Sequence, residues 1–284
     1  MSLPPADWPQ RRHSQSLKVG PIDWHLQMAG HGPLILLLHG SGASAHSWSG
    51  MLPLLARHAT VLALDLPGHG FTTGAPYGEL TLPRLRESLA ALLRALKLPR
   101  PALVVGHSAG AALALRWAVD APRPPKAVLG FAPSLVAPPA RLMQWMAPVV
   151  QPFATSLPVT HLLATFAGPT GFLDMLLNST GSRLSAPQRA VYRRLFSNAA
   201  HVRGAMSFMA AADLPSLLPA CGQLPCAAHF VLGDNDRWIP ERPLRAVLDL
   251  HFEHPGVQRW PGGHLVHEET PQRAAQRVLD LLAE

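Results

Sequence analysis

The chain has 284 residues, of which 48% are hydrophobic and 14% charged; this excludes the apolar-poor composition of disordered chains and supplies one large core, with or without an inserted sub-domain. Apolar runs such as Leu34 to Leu38 are far shorter than the roughly 20 residues that cross a bilayer, and the two cysteines, Cys221 and Cys226, exclude a disulfide framework and supply only half of a zinc site. A net charge of +7, carried mainly by arginine, favours anionic partners without choosing among acidic substrates, an anionic membrane surface and nucleic acid.

Met1 to Trp8 has neither the basic start nor the apolar stretch of a secretory signal, so a cytoplasmic chain is expected. Asp23 to Met28 reads as an early strand and Leu34 to Leu38 as a fully buried one, followed by a short helix over Ala45 to Ala56 with Trp48, Met51, Leu52 and Leu55 at helical spacing. Thr60 to Leu64 is the next strand and ends in the turn Asp65-Leu66-Pro67-Gly68-His69-Gly70. Leu85, Leu89, Leu92, Leu93 and Leu96 predict an amphipathic helix from about Leu82 to Leu98. Strand Ala102 to Val105 then runs through Gly106-His107-Ser108-Ala109-Gly110 into a helix over Ala111 to Val119, and Lys126 to Phe131 is a further strand. The alternation breaks until Ala227 to Leu232. Between them lie only helical patches, around Leu142 to Val149, His161 to Phe166, Ala190 to Phe196 and Val202 to Ala211. The chain closes with helix Leu244 to Leu250, strand Val257 to Trp260 and helix Ala274 to Leu282. The expected architecture is α/β: a doubly wound, mostly parallel sheet built from residues 1–136 and 213–284, with a helical cap inserted at 137–212.

Gly106-His107-Ser108-Ala109-Gly110 fits G-x-S-x-G between a strand and a helix, the context in which that motif holds a nucleophile on a strained turn. A serine hydroxyl is a weak nucleophile and needs a base that is oriented by an acid. Both follow in the order Ser, Asp, His, each in a loop leaving the carboxyl end of a strand, where open α/β sheets place their sites. The acid is Asp236, with Asp234 as the alternative, and the base is His264. His267 does not complete a zinc helix, because the second histidine of that pattern falls on Pro271. His39-Gly40-Ser41-Gly42 suits an oxyanion hole made by the backbone N–H groups of Ser41 and Ala109. Gly40-x-Gly42-x-x-Ala45, with Asp65 after the next strand, also matches a dinucleotide-binding fingerprint, a rival that leaves Ser108, Asp236 and His264 as coincidences.

These residues resemble the α/β-hydrolase superfamily over nearly the whole chain, through His39-Gly40, Asp65 to Gly70, Gly106 to Gly110, Asp236-x-x-Ile239-Pro240 and Gly263-His264. Within it the chain resembles the magnesium chelatase accessory family of bacteriochlorophyll biosynthesis. That resemblance rests on Trp24 to Gln27, Gly42 to Trp48, Asp65 through Thr72, Gly106 through Arg116, and the cap segments Ser179 to Ser182 and His201 to Gly204. It implies Ser108, Asp236 and His264 as nucleophile, acid and base, Ser41 and Ala109 as oxyanion donors, and a role near magnesium insertion into protoporphyrin, with magnesium chelatase as a partner. It implies no particular reaction.

The stretch from Ala137 to Ala212 holds most of the methionines and phenylalanines, and Arg141, Arg183, Arg189, Arg193, Arg194 and Arg203 against the single acid Asp174. Such a surface could hold a flat apolar ring with carboxylate arms; equally, the apolar residues are the cap's own core and the arginines a solvated face. The arginines also offer peripheral contact with an anionic membrane. Gly40, His107, Met143, Trp145, Met146, Phe172 and Met206 are the residues expected around a small-molecule substrate, with no metal and no organic cofactor. The expected activity is serine hydrolysis of an ester or similar acyl group. The alternatives are a non-hydrolytic tetrapyrrole-binding or chelatase-assisting protein, and a small-substrate carboxylesterase or carbon–carbon bond hydrolase. Nucleic-acid binding is not expected, since the positive charge is spread along the chain and no recognition motif is present.

Overall fold

The computed structural model describes residues 3–136, 156–167 and 171–284. Among these, strands β1 (Ser14–Val19), β2 (Ile22–Ala29), β3 (Leu34–Leu38), β4 (Thr60–Leu64), β5 (Pro101–His107), β6 (Ala127–Phe131), β7 (Ala227–Gly233) and β8 (Gly256–Trp260) form one sheet in the order 1-2-4-3-5-6-7-8. The six strands from β4 to β8 are parallel, and β2 runs antiparallel to both β1 and β4.

Period-two alternation explains why β3 is apolar throughout. Leu34, Leu36 and Leu38 enter one core with the leucines of α2 (Leu82–Ala95) and with Leu113 of α3 (Ala109–Asp120). Ile35 and Leu37 enter the other, with Trp48, α1 (Leu52–Leu55) and the terminal helix, Pro271–Ala283. A strand covered on both faces has no solvent side to keep polar.

Two local features differ from the sequence reading. The helix expected over Ala45 to Ala56 is split into a 3-10 turn, Ala45–Trp48, and the short α1. Pro53 has no N–H for a continuous helix and sits instead in the first turn of a new one. Strand β1 was not expected. It is a half-exposed edge, joined to β2 by a two-residue turn at Gly20-Pro21, where Gly20 adopts φ +59°.

Between β6 and β7 the described residues are helical: α4 (Leu157–Ala167), α5 (Phe172–Ser179), α6 (Ala186–Phe196), α7 (Ala199–Ala210) and α8 (Leu214–Cys221). Ser185 and Gln188 form a reciprocal capping box that starts α6, and the Asn198 side chain caps α7. Helix α8 buries Leu214 and Leu217 in the same core as α2 and α3. The remaining helices are α9 (Glu241–His251), α10 (Val266–Glu269) and α11 (Pro271–Ala283). The patch around Leu142 to Val149 lies outside the described residues.

Candidate active site

Strand β5 ends at His107 and α3 begins at Ala109, so a single residue, Ser108, makes the turn. It does so at φ 52°, ψ −119°, a conformation that costs a side-chain-bearing residue about 1–3 kcal/mol. The surroundings enforce it. The Ser108 N–H donates to the Phe131 carbonyl at 3.0 Å, and the Ser108 carbonyl accepts from Ser134 N–H at 3.1 Å. A Cβ on Gly110 would stand 2.3 Å from the Leu38 carbonyl oxygen, and one on Gly106 would stand 2.3 Å from that of Gly110. Both glycines of the motif are therefore required by the close approach of β3, β5 and α3, and the hydroxyl is held above the sheet's carboxyl edge.

His264 Nε2 accepts from the Ser108 hydroxyl at 2.9 Å, and its Nδ1–H donates to Asp236 Oδ2 at 2.9 Å. A carboxylate oxygen only accepts, which fixes this imidazole tautomer. The other oxygen, Asp236 Oδ1, accepts the backbone N–H groups of Trp238 (2.8 Å) and Ile239 (3.0 Å). Side chains of His264 and Asp236 are 2% and 4% exposed, so the pair works away from bulk water. Asp234 turns outward and pairs with Arg259 at 3.0 Å, which decides between the two acids in favour of Asp236. The Trp238 ring lies 5.1 Å from that of His264.

The loops beside Ser108 are stitched together by buried polar side chains. His39 donates from Nδ1 to the Gly40 carbonyl (2.7 Å) and accepts at Nε2 from Leu66 N–H (2.9 Å). Burial, with His69 nearby, lowers its pKa to about 3, so it stays neutral. Asp65 is fully buried, with Oδ1 accepting from Ala45 N–H (2.7 Å) and Oδ2 from Phe71 N–H and the His25 ring (both 2.8 Å). Burial alone would raise its pKa, but His25 and the two amides outweigh that and bring it down to about 2. An acid so fully engaged cannot hold a ribose, which removes the dinucleotide reading. Among the described residues no group of three or more His, Cys, Asp or Glu is arranged to hold a metal ion; Cys221 and Cys226 are free thiols, which burial pushes up to about 12 and 11.

The cap helices reach this site through two segments. In the first, the Thr180 carbonyl accepts from His264 N–H (3.0 Å), Ser182 Oγ accepts from Leu265 N–H (2.8 Å), and Trp238 Nε1–H donates to Ser179 Oγ (3.0 Å). Glu269 fixes the same joint by accepting from both Arg183 N–H and Gly263 N–H at 2.7 Å. In the second, His201 accepts from Gly70 N–H (3.0 Å) and donates to the Gly42 carbonyl (3.1 Å), while Ser41 Oγ donates to the Ala205 carbonyl (2.6 Å). Here α7 lies on the turn after β4 so closely that a Cβ on Gly204 would fall 1.8 Å from the Gly68 carbonyl oxygen. The segments Ser179 to Ser182 and His201 to Gly204, singled out in the sequence as cap features, are thus the hinges of contact with the catalytic loops.

Among the described residues, a cavity of about 40 Å³ lies over Ser108, bordered by Ser41, His107, Ser108 and His264 from the sheet side and by Leu176, Leu177, Thr180, Tyr192 and Phe196 from the cap. Of the residues expected to meet substrate, His107 lines it, and its Nε2–H also donates to the His264 carbonyl at 2.9 Å. Gly40 is adjacent, since a Cβ there would lie 3.0 Å from the Ser108 Cβ. Phe172 is 37% exposed at the start of α5, and neither it nor half-buried Met206 borders the cavity. Helical packing turns Leu173 and Leu177 of α5, and Val202, Ala205 and Phe208 of α7, inward instead. Met143, Trp145 and Met146 lie outside the described residues. Tyr192 and Phe196, missed in the sequence, are four apart on α6 and so share one face of it. Four of the six cap arginines are engaged elsewhere: Arg189 and Arg193 with Asp174, Arg194 with Asp7, and Arg203 over the Tyr77 ring; Arg183 is exposed, and Arg141 lies outside the described residues.

The family model for the alpha/beta hydrolase family matches residues 35–277. The chain is 35% identical to the magnesium-chelatase 30 kDa subunit of Rhodobacter capsulatus, over 98% of this chain and 97% of that protein. It is 27% identical to the pimeloyl-[acyl-carrier protein] methyl ester esterase of Chromobacterium violaceum, over 91% of this chain and 98% of the other. Among solved structures, a protein described as an alpha/beta hydrolase from Nostoc sp PCC 7120 superposes with a TM-score of 0.77 at 25% identity, covering 95% of this chain and 97% of that one. No helix among the described residues is long and apolar enough to cross a membrane. With a Ser-His-Asp array at the carboxyl edge of this sheet and a family match across most of its length, the chain belongs to the alpha/beta hydrolase family and carries a serine-hydrolase site.

Proposed function

We propose that this protein hydrolyses an ester or similar acyl bond of a small molecule that belongs to tetrapyrrole metabolism, in the pathway to bacteriochlorophyll. The observation that carries the chemistry is the unbroken Asp236–His264–Ser108 relay, with both of its hydrogen bonds at 2.9 Å. Ser108 Oγ attacks the acyl carbon while His264 Nε2 takes its proton; Asp236 holds the imidazole and stabilises its charged form. The same proton goes to the leaving group, and His264 then deprotonates a water that releases the acyl-enzyme. The backbone N–H groups of Ser41 and Ala109 serve as oxyanion donors, each contributing about 3 kcal/mol in the transition state. Supporting that assignment, Ala109 opens α3, where the first N–H groups have no intrahelical acceptor, and Gly40, the residue before Ser41, runs so close that a Cβ on it would lie 3.0 Å from the Ser108 Cβ. The pathway rests on the near full-length similarity to a magnesium-chelatase subunit.

The test is intact-mass analysis after exposure to a fluorophosphonate, with S108A as the control and protoporphyrin as competitor. Rapid addition to wild type, absent in S108A and slowed by protoporphyrin, is expected. No addition to folded wild type would remove the hydrolytic reading.

The same similarity favours a second reading, in which the protein binds a tetrapyrrole or assists magnesium chelatase without turnover, either in the cytoplasm or at a membrane surface. Fold does not fix activity. Restoration of pigment synthesis by S108A in a strain lacking the protein would decide for this reading.

A further inference from the structure

Beside the cavity at Ser108 the molecule holds a larger one, of about 360 Å³, between the N-terminal segment and α6, with His46, Gln188, Val191, Arg194 and Glu268 on its walls. Tyr192, backed by Glu268 and His46, stands between the two. The ring of Tyr192, 4% exposed, borders the cavity of about 40 Å³ over Ser108. Its hydroxyl donates to Glu268 Oε1 at 2.6 Å, and its ring packs edge-on against His46 at a centroid distance of 4.7 Å, both partners being walls of the larger cavity. Burial pushes the Glu268 carboxyl up to about 8, so near neutral pH it holds the phenol as a neutral acid.

The small cavity has room for only a few waters. Sites for small molecules occupy about 300–1,000 Å³. A space of that size suits an acyl group of two or three carbons, and a longer one would press on its walls, Tyr192 among them. Removing that ring would lengthen the small space toward Glu268 and His46, the side chains that wall it from the larger one. Beyond them lies the larger space, with Val191 and Arg194 among its walls.

We propose that Tyr192, pinned by Glu268 and His46, is the specificity-determining wall that limits acyl length at Ser108. The inference rests on the hydrolytic reading above. The experiment measures kcat/KM for p-nitrophenyl acetate and p-nitrophenyl octanoate with wild type, Y192A, Y192L and Y192F. Wild type is expected to prefer acetate by at least about 10-fold, the scale on which an apolar pocket senses excess length. Y192A and Y192L should each shift the ratio toward octanoate by about 10-fold or more, and Y192F, which keeps the ring, should retain the wild-type ratio. Equal efficiency of wild type on both esters overturns the proposal whether or not any variant folds. So does an unchanged ratio in folded Y192A and Y192L that still cleave acetate, and both results leave the hydrolytic reading standing. Failure of folded wild type to cleave acetate, with no fluorophosphonate addition, removes that reading and the wall with it.

Discussion

The sheet and the cap hold their functional residues in different ways. On the sheet, Ser108 is fixed by backbone pressed on backbone, with Gly106 and Gly110 leaving no room for a methyl group. On the cap, Leu176, Tyr192 and Phe196 reach the site as side chains on helices, and those helices are tied down by a few polar joints around Thr180 to Ser182 and His201 to Ala205. The rigid half carries the Ser-His-Asp array and the jointed half walls the cavity over it. The two halves are therefore held by different physical means, and loosening the jointed one need not unfold the other.

Altering Ser108 should have the largest effect. S108A is expected to lower ester turnover by about 10⁴-fold or more while leaving the thermal midpoint close to that of wild type. The two neighbouring acids give the next contrast: D236N should cost about 10³- to 10⁴-fold in kcat, and D234N, which only loses an exposed pair with Arg259, should stay within a few-fold. A third contrast sets one glycine in each region against the other. G110A forces β3 and α3 apart and should destabilise the whole fold by about 3 kcal/mol or more. G204A should instead loosen α7 from the turn at Gly68, seen as faster hydrogen exchange in α7 with β3, β5 and β6 still protected. If G204A collapsed the sheet as well, the separation of the two halves would fail.

pH acts through buried groups of the sheet half with opposite signs. His39 and His267, lowered to about 3, and His46 and His69, lowered to about 4, are bases whose folded pKa lies below the unfolded value near 6.5, chiefly because burial penalises the cation. Unfolding takes up protons onto them below pH 6.5, so stability is full above that value and falls as pH drops toward 4. Each such imidazole contributes about 1.4 kcal/mol per pH unit within that window. Glu268 is the converse: burial raises its pKa from 4.5 to about 8, and the Tyr192 hydroxyl offsets only part of this. Its cost to the folded state therefore grows as pH rises from 4.5 to 8 and is constant above. E268Q keeps an acceptor for Tyr192 and should remove that one-proton slope, read by chemical denaturation from pH 5 to 9.

Much of the sheet and of the triad was legible because both depend on short-range rules. Leu34 to Leu38 is apolar at every position since both faces are covered, and Ser108 lies between a strand and a helix with glycine where only glycine fits. The choice of Asp236 over Asp234 was a matter of loop direction, settled by the amides of Trp238 and Ile239. Strand β1 was hidden because an exposed edge needs only Leu17 and Val19 facing inward, too little for a periodic signal. The cavity walls were harder still. Phe172 and Tyr192 look equally suited by residue type, and only the packing of α5 and α6 on the loops turns one outward and the other toward Ser108. The cap's excess of arginine was equally ambiguous, and pairing with Asp174 and Asp7 accounts for three of those side chains.

The hydrogen bond from Ser41 Oγ to the Ala205 carbonyl, at 2.6 Å, has a consequence for engineering and for descent. It ties the loop proposed to stabilise the oxyanion to a helix of the cap. A chimaera carrying a foreign cap would therefore inherit a new turnover number along with a new substrate range, unless the graft also supplied an acceptor for residue 41. Selection acting on substrate preference alone would, for the same reason, leave its mark on rate.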